Sequence, residues 1–205
     1  MRITLRSMLL ALILLGTGAQ RVASQHPPAT PPLQFKMMVT GYSDGDWIPV
    51  QYTCGVSDGS SPEVQWTDPP KGTLSLALIF HDTDAVPGRG AMDVTHWTLW
   101  NIPANTAQLP ANFRPDTSPD GIQQGKNVQG VNGYQPPCPP AGAGTHHYVF
   151  ELYAVDTKLN LPAGSSREDL LKAMDDHVIG KATHVGIFGQ GIDPETWRWG
   201  ITKLK

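Results

Sequence analysis

Residues 74–102 read LSLALIFHDTDAVPGRGAMDVTHWTLWNI, two hydrophobic runs separated by a polar turn. In the first run, 74–81, Leu74, Leu76, Leu78 and Phe80 share one face while Ala77 and Ile79 share the other. Both faces are largely apolar, a pattern that suits a strand inside a sheet covered on both sides. Asp82, Thr83, Asp84, Pro87, Gly88 and Gly90 are turn and strand-breaking types, and from near Val94 a second run carries His96, Trp97, Leu99 and Trp100. Antiparallel pairing lays the end of the first run beside the start of the second. Asp82 and Asp84 are therefore expected close to His96 at one end of a sheet.

A third strand is expected over 147–155, HYVFELYAV, after a Pro/Gly-rich loop, and it too begins with polar residues: His146, His147 and Tyr148. Three strands thus bring two carboxylates, two or three imidazoles and a phenol to strand ends, where loops on a rigid scaffold commonly build binding sites. That end is the candidate site.

Around this centre the chain offers short strands over 35–40 and 48–53, flanking the turn Ser43-Asp44-Gly45-Asp46, and over 64–66. Residues 102–140 are rich in Pro, Gly, Asn and Gln without periodicity, and predict a long ordered loop; such loops in compact domains are usually functional. A helix is expected over 167–179, with a capping box of Ser165 and Glu168, a stripe of Leu170, Leu171, Met174 and Val178, and Gly180 as its stop. A last strand is expected over 182–188. In the tail that follows, Trp197, Trp199 and Ile201 alternate as in a short edge strand.

Residues 1–24 read as a secretory signal: Arg2 and Arg6, an apolar run over 8–15 too short to span a bilayer, then Val22-Ala23-Ser24. Its removal takes away Arg2, Arg6 and Arg21 and moves the formal charge from −3 to −6. Residues 25–34 are a proline-rich leader, 35–190 one domain and 191–205 a C-terminal extension. The negative balance and the lack of any Lys/Arg cluster argue against nucleic acid as a partner. Cys54 and Cys138 are the only cysteines. In the periplasmic or secreted setting that the signal implies, they are expected to form a disulfide. Neither lies in a metal-knuckle spacing.

Three stretches together resemble the phosphatidylethanolamine-binding protein family, in particular its bacterial Raf-kinase-inhibitor-like branch. Asp82-Thr83-Asp84-Ala85-Val86-Pro87 is similar to the family's DPDAP. His96-Trp97 is followed by Asn101-Ile102-Pro103-Ala104. Residues 133–148, with Pro137-Cys138-Pro139-Pro140 and Gly144-Thr145-His146-His147-Tyr148, are similar to GPCPPPGxGxHRY. The likeness runs from about Phe35 to Gly189. Three departures stand out: Thr83 replaces a proline, Val86 is one residue extra, and His147 replaces the usual arginine. His147 is expected to point away from the pocket if His146 and Tyr148 share a strand face.

The resemblance implies a mostly β fold: a large central antiparallel sheet, a smaller flanking sheet and one or two peripheral helices. It also implies a small pocket for anions such as phosphate, or for the phosphorylethanolamine head group. Carried over residue by residue, the pocket comprises Asp82, Asp84, His96, the wall Cys138-Pro139-Pro140, His146 and Tyr148. Two aspartates suit an anion site only because a carboxylate beside an imidazole raises its pKa and fixes its tautomer. His96, His146, Tyr148 and loop N–H groups are then expected to hold the phosphoryl oxygens, while Asp82 or Asp84 orients a histidine or accepts from an ammonium.

Without a GxSxG or a serine placed beside the histidines, the reading is a binding protein without catalysis, cofactor or metal. Three rivals stay open: an acid/base enzyme in the same Asp/His pocket, a two-histidine, one-carboxylate metal site, and an inhibitor of a protease or kinase. Neither an amphipathic basic helix nor a lipidation cysteine beside the signal points to membrane contact.

Overall fold

The computed structural model describes residues 35–56, 59–87, 91–114 and 121–192. The signal segment, the leader and all but the first two residues of the C-terminal extension lie outside these. So does the expected strand around Trp197 and Trp199.

Among the described residues the chain forms two sheets. The smaller contains β1 (Lys36–Val39), β3 (Val64–Thr67) and β6 (Gln108–Leu109), in the order β1-β3-β6. The larger has the order β2-β9-β8-β4-β5-β7, built from β2 (Asp46–Trp47), β4 (Ser75–Asp82), β5 (Val94–Pro103), β7 (Gln123–Gln124), β8 (His146–Val155) and β9 (Val178–Phe188). Its pairings are antiparallel except that β2 runs parallel to β9, so the large sheet is mixed rather than wholly antiparallel.

β4 sits in the middle, and every one of its eight residues is buried. Leu76, Leu78 and Phe80 join Trp97, Leu99, Tyr148, Phe150 and Leu152 in a core shared with Met37, Val39, Val64 and Trp66 of the small sheet. Ala77 and Ile79 face the other way, with Trp100, Val155 and Leu159, against Leu170 and Met174 of the helix α1 (Arg167–Met174). The doubly apolar pattern of 76–80 therefore reflects cover on both faces.

Two bulges in β5 shape this core. Leu76 pairs with Ile102 and Leu78 with Leu99, so Trp100 and Asn101 together oppose Ala77. The extra residue lets Trp100 face the helix while Ile102 returns to the inter-sheet core. Asn101 takes the left-handed conformation this requires, φ 58°. Its side chain donates to Leu159 O (3.0 Å) and accepts from Leu159 N (2.8 Å), fastening residues 155–161 to the sheet. Asn101→Ala is expected to cost about 2 to 4 kcal/mol, from the Cβ strain and two lost bonds. In urea denaturation Asn101→Gly, which relieves only the strain, should fall between this variant and the wild type.

Three expected elements are corrected. Residues 48–53 are not a strand: Pro49 precedes a 3-10 turn, Val50–Tyr52, and the pairing falls to Asp46–Trp47. The helix is capped by Ser166 with Asp169, not by Ser165 with Glu168, and ends at Met174. Val178, Ile179 and Gly180 belong to β9, where Val178 pairs with Val155 and Gly180 with Ala154. Spacing alone continued the helix; the edge of β8 offered these residues a ladder of backbone bonds instead.

Candidate functional site

Asp82 ends β4 on the inter-sheet face, after Leu76, Leu78 and Phe80. It pairs across the sheet with Tyr148 of β8 and Val94 of β5. His146, two residues before Tyr148 and on the same face, places Nδ1 2.8 Å from Asp82 Oδ2. Asp82 is 3% exposed and His146 7%, so the pair is buried.

His96 reaches the same place through the second bulge of β5. Phe80 pairs with Trp97 but His81 pairs with Thr95, so His96 is an extra residue. Strict alternation would send His96 and Trp97 to opposite faces; the bulge turns both inward. The His96 ring lies 5.5 Å from Phe80 and stands edge-on to Tyr148 at 5.3 Å. Its Nδ1 lies 2.8 Å from Gln135 O, while Gln135 N donates to His96 O at the same distance. A carbonyl only accepts, so Nδ1 carries the hydrogen. Burial holds His96 below the ordinary imidazole range, with the Gln135 carbonyl and the Asp82 charge only partly opposing it. At neutral pH the ring is therefore uncharged, and Nε2 bears a lone pair.

The hydroxyl of Tyr148 lies behind these groups, sealed from solvent and without a hydrogen-bond partner of good geometry. Burial and then the Asp82 charge push it far above the ordinary phenol range, so it stays protonated. Phe80, stacked on Phe150 at 4.0 Å and on Tyr134 at 5.6 Å, forms the apolar floor.

Asp84 is placed differently from Asp82. Its N–H donates to Asp82 Oδ1 at 3.0 Å, but its own carboxylate turns outward and accepts from the amide (2.6 Å) and ring Nδ1 (2.9 Å) of His147. Burial raises the Asp84 pKa, yet the two His147 contacts outweigh it and the net shift is downward. His147 does point away from His146, as its position in the strand predicts, and there it becomes the partner of Asp84. Thr83, the departure from proline, donates its N–H to His147 O at 3.0 Å, a bond that proline lacks the hydrogen to make.

The wall Cys138-Pro139-Pro140 belongs to the loop that Gln135 fastens to His96. Cys54 and Cys138 form a disulfide, with Cα atoms 5.4 Å apart. Cys54 N also donates to Pro137 O (3.0 Å), and Tyr134 OH to Tyr52 O (2.8 Å). Gln135 is the contributor that sequence reasoning missed, because a backbone carbonyl leaves no trace in residue type. Beyond the disulfide lies a groove of about 510 Å³. Among the described residues no set of three His, Cys, Asp or Glu is arranged to hold a metal ion, and no helix is long and apolar enough to cross a membrane.

Fold and site together define a two-sheet β protein with an Asp/His cluster at one end of its larger sheet. Comparison with known proteins places it more narrowly. Residues 40–189 match the family model described as phosphatidylethanolamine-binding protein. A UPF0098 protein of Methanothermobacter thermautotrophicus is 43% identical over 152 residues, 73% of this chain and 95% of that one. A Mycobacterium tuberculosis protein named as a lipoprotein, LppC, is 35% identical over 166 residues, 81% of this chain and 77% of its own. Among crystal structures, the Chlamydia trachomatis homolog CT736 superposes with a TM-score of 0.68 at 33% identity, covering 77% of this chain and 98% of that chain. YbcL of E. coli gives 0.69 at 28% identity, covering 76% and 98%. The chain belongs to the phosphatidylethanolamine-binding protein family.

Proposed function

We propose that this is an exported binding protein whose Asp82, His96 and His146 cluster takes a small anion, phosphate or the phosphorylethanolamine head group, without catalysis. One observation carries the reading. Both rings spend Nδ1 on a fixed acceptor, Gln135 O for His96 and Asp82 for His146, which leaves Nε2 of each ring for a ligand. Held in this way, each ring keeps Nε2 for a phosphoryl oxygen, His96 as an Nε2–H once it takes up a proton. Asp82 compensates the charge from behind. Asp84, already on the rim, is available to an ammonium group. The disulfide and the lipoprotein-named relative support a location outside the cytoplasm, and the signal-like segment over 1–24 supports export.

Because burial keeps His96 neutral, anion binding must supply it with a proton. Affinity for inorganic phosphate should therefore fall as pH rises through and above the ordinary histidine range, near 6.5, by at most about tenfold per pH unit for one linked proton. His96→Asn keeps a donor toward Gln135 O but has no Nε2. Calorimetric titrations from pH 5.5 to 8 should show weaker binding and a shallower pH slope for this variant, with the ligand's own titration common to both proteins. Identical slopes would remove His96 from the site. The sign for stability is the reverse: His96 favours the folded state when neutral, so its contribution is lost as pH falls below about 6.5.

A further inference from the structure

The groove beyond the disulfide has walls formed by Trp47, Ile48, Pro49, Val50, Phe188 and Ile192, and no charged side chain lines it among the described residues. Val50 stands at it 56% exposed, a large apolar group outside both core clusters. The chain turns back onto this groove where its described part ends. Gly191 takes the left-handed conformation, φ 72°, and Ile192 N donates to Gly189 O (3.4 Å), closing a turn after β9. A Cβ on Gly189 would come within 2.6 Å of Ile192 Cδ1, so the Ile192 side chain lies back over Gly189. The residues that follow, DPETWRWGITKLK over 193–205, therefore leave from the groove's own wall.

The sequence of that segment suits the groove. Asp193-Pro194-Glu195-Thr196 is a short polar link, after which Trp197, Trp199 and Ile201 recur with a period of two, with Leu204 beyond them. In an extended chain these three share one face and span about 13 Å, while Arg198, Gly200 and Thr202 take the other. Residues 197–205 also carry Arg198, Lys203 and Lys205 and no acid, in a chain whose balance is negative. We propose that residues 197–201 seat in the groove of their own chain, with Trp197, Trp199 and Ile201 against its apolar walls and Arg198 toward solvent. The proposal is independent of the head-group reading. Each indole can withdraw about 150 to 250 Å² from water. A link of four residues holds the segment at an effective concentration on the order of millimolar. A contact with a dissociation constant of about 0.1 mM between separate molecules is then about nine-tenths formed within one chain, ahead of any dilute external partner.

The test is a urea-denaturation cycle on the full protein, with Trp197→Ser/Trp199→Ser and Val50→Asp made separately and together. Each should lower the midpoint, the tryptophan pair by about 1 M. The combined variant should fall no further than the worse of the two, because Val50→Asp then has no indole to displace. Nile red, an uncharged dye that fluoresces on apolar surface, gives a second reading. It should stay dark with the wild type, brighten several-fold with the tryptophan variant and lose that gain when Val50→Asp is added. The first two of these need no change at Val50, so they decide the matter even if Val50→Asp fails to fold. Additive losses in the midpoint, or equal dye fluorescence from the wild type and the tryptophan variant, overturn the proposal. A midpoint that rises with protein concentration, with a dimer that the tryptophan variant loses, overturns it too, because the groove would then hold the tail of a second copy.

Discussion

His146→Ala is expected to cost about 3 to 5 kcal/mol of folding stability and to abolish measurable phosphate binding. The reason is the position of Asp82. Its carboxylate is 3% exposed, and Oδ2 has the His146 ring as its hydrogen-bond partner, with the Tyr148 hydroxyl not completing a bond of its own. Removing the imidazole leaves the Asp82 charge at the end of the central strand beside Phe80 and Tyr148, with the Asp84 N–H still donating to Oδ1 but the ring's donor lost. Deleting one partner of a buried pair costs far more than the pair is worth as a unit. The double variant Asp82→Asn/His146→Ala, which removes the charge as well, should regain part of the loss in urea denaturation at pH 7. It should stay unable to bind phosphate. A single variant within about 0.5 kcal/mol of wild type would mean that the pair is solvated and the cluster no buried site.

The second large effect belongs to the disulfide. Cys54 and Cys138 are separated by 84 positions, so the bond closes a loop spanning the central strands β4 and β5. Loop-closure entropy puts its removal, as Cys54→Ser/Cys138→Ser, at about 4 to 5 kcal/mol. The folded geometry should change little. The bonds from Cys54 N to Pro137 O, from Tyr134 OH to Tyr52 O and between Gln135 and His96 still hold the same loop. The loss should therefore appear as a lower denaturation midpoint with a steeper denaturant dependence, because the freed unfolded chain exposes more surface. Reductant should bring the wild type to the same midpoint. An unchanged midpoint in reductant would show that the bond contributes nothing.

How far the site was legible in the sequence differs from residue to residue. Asp82 and His146 were legible because each ends a run whose apolar alternation continues into the core, so strand parity alone sets the face they share. His96 was legible as a motif but not as geometry. Parity from Trp97 and Leu99 sends it to the opposite face, and only the bulge against His81 turns it inward. Asp84 was grouped with Asp82 because both follow the end of the first strand and both fall in the stretch that resembles the family's motif. The structure separates them, because the turn after β4 carries Asp84 to the rim, where the His147 amide and ring offer better-placed donors. The helix boundary and the short strand at 48–53 went astray in the same way: local periodicity was a weaker influence than a neighbouring strand or a proline.

The sequence by itself determined that residues 75–81 form a strand buried on both sides, that polar residues gather at one end of it, and that Cys54 and Cys138 are the available pair. Each of these follows from residue type and a period of two along the backbone, which every chain carries with it. Tertiary structure alone decided which extra residues become bulges, which carbonyl orients His96, which histidine takes Asp84, and that an apolar groove lies beyond the disulfide. Those outcomes depend on register, and register is set by how well two distant strands pair and pack, a free energy shared between segments and written in neither of them alone.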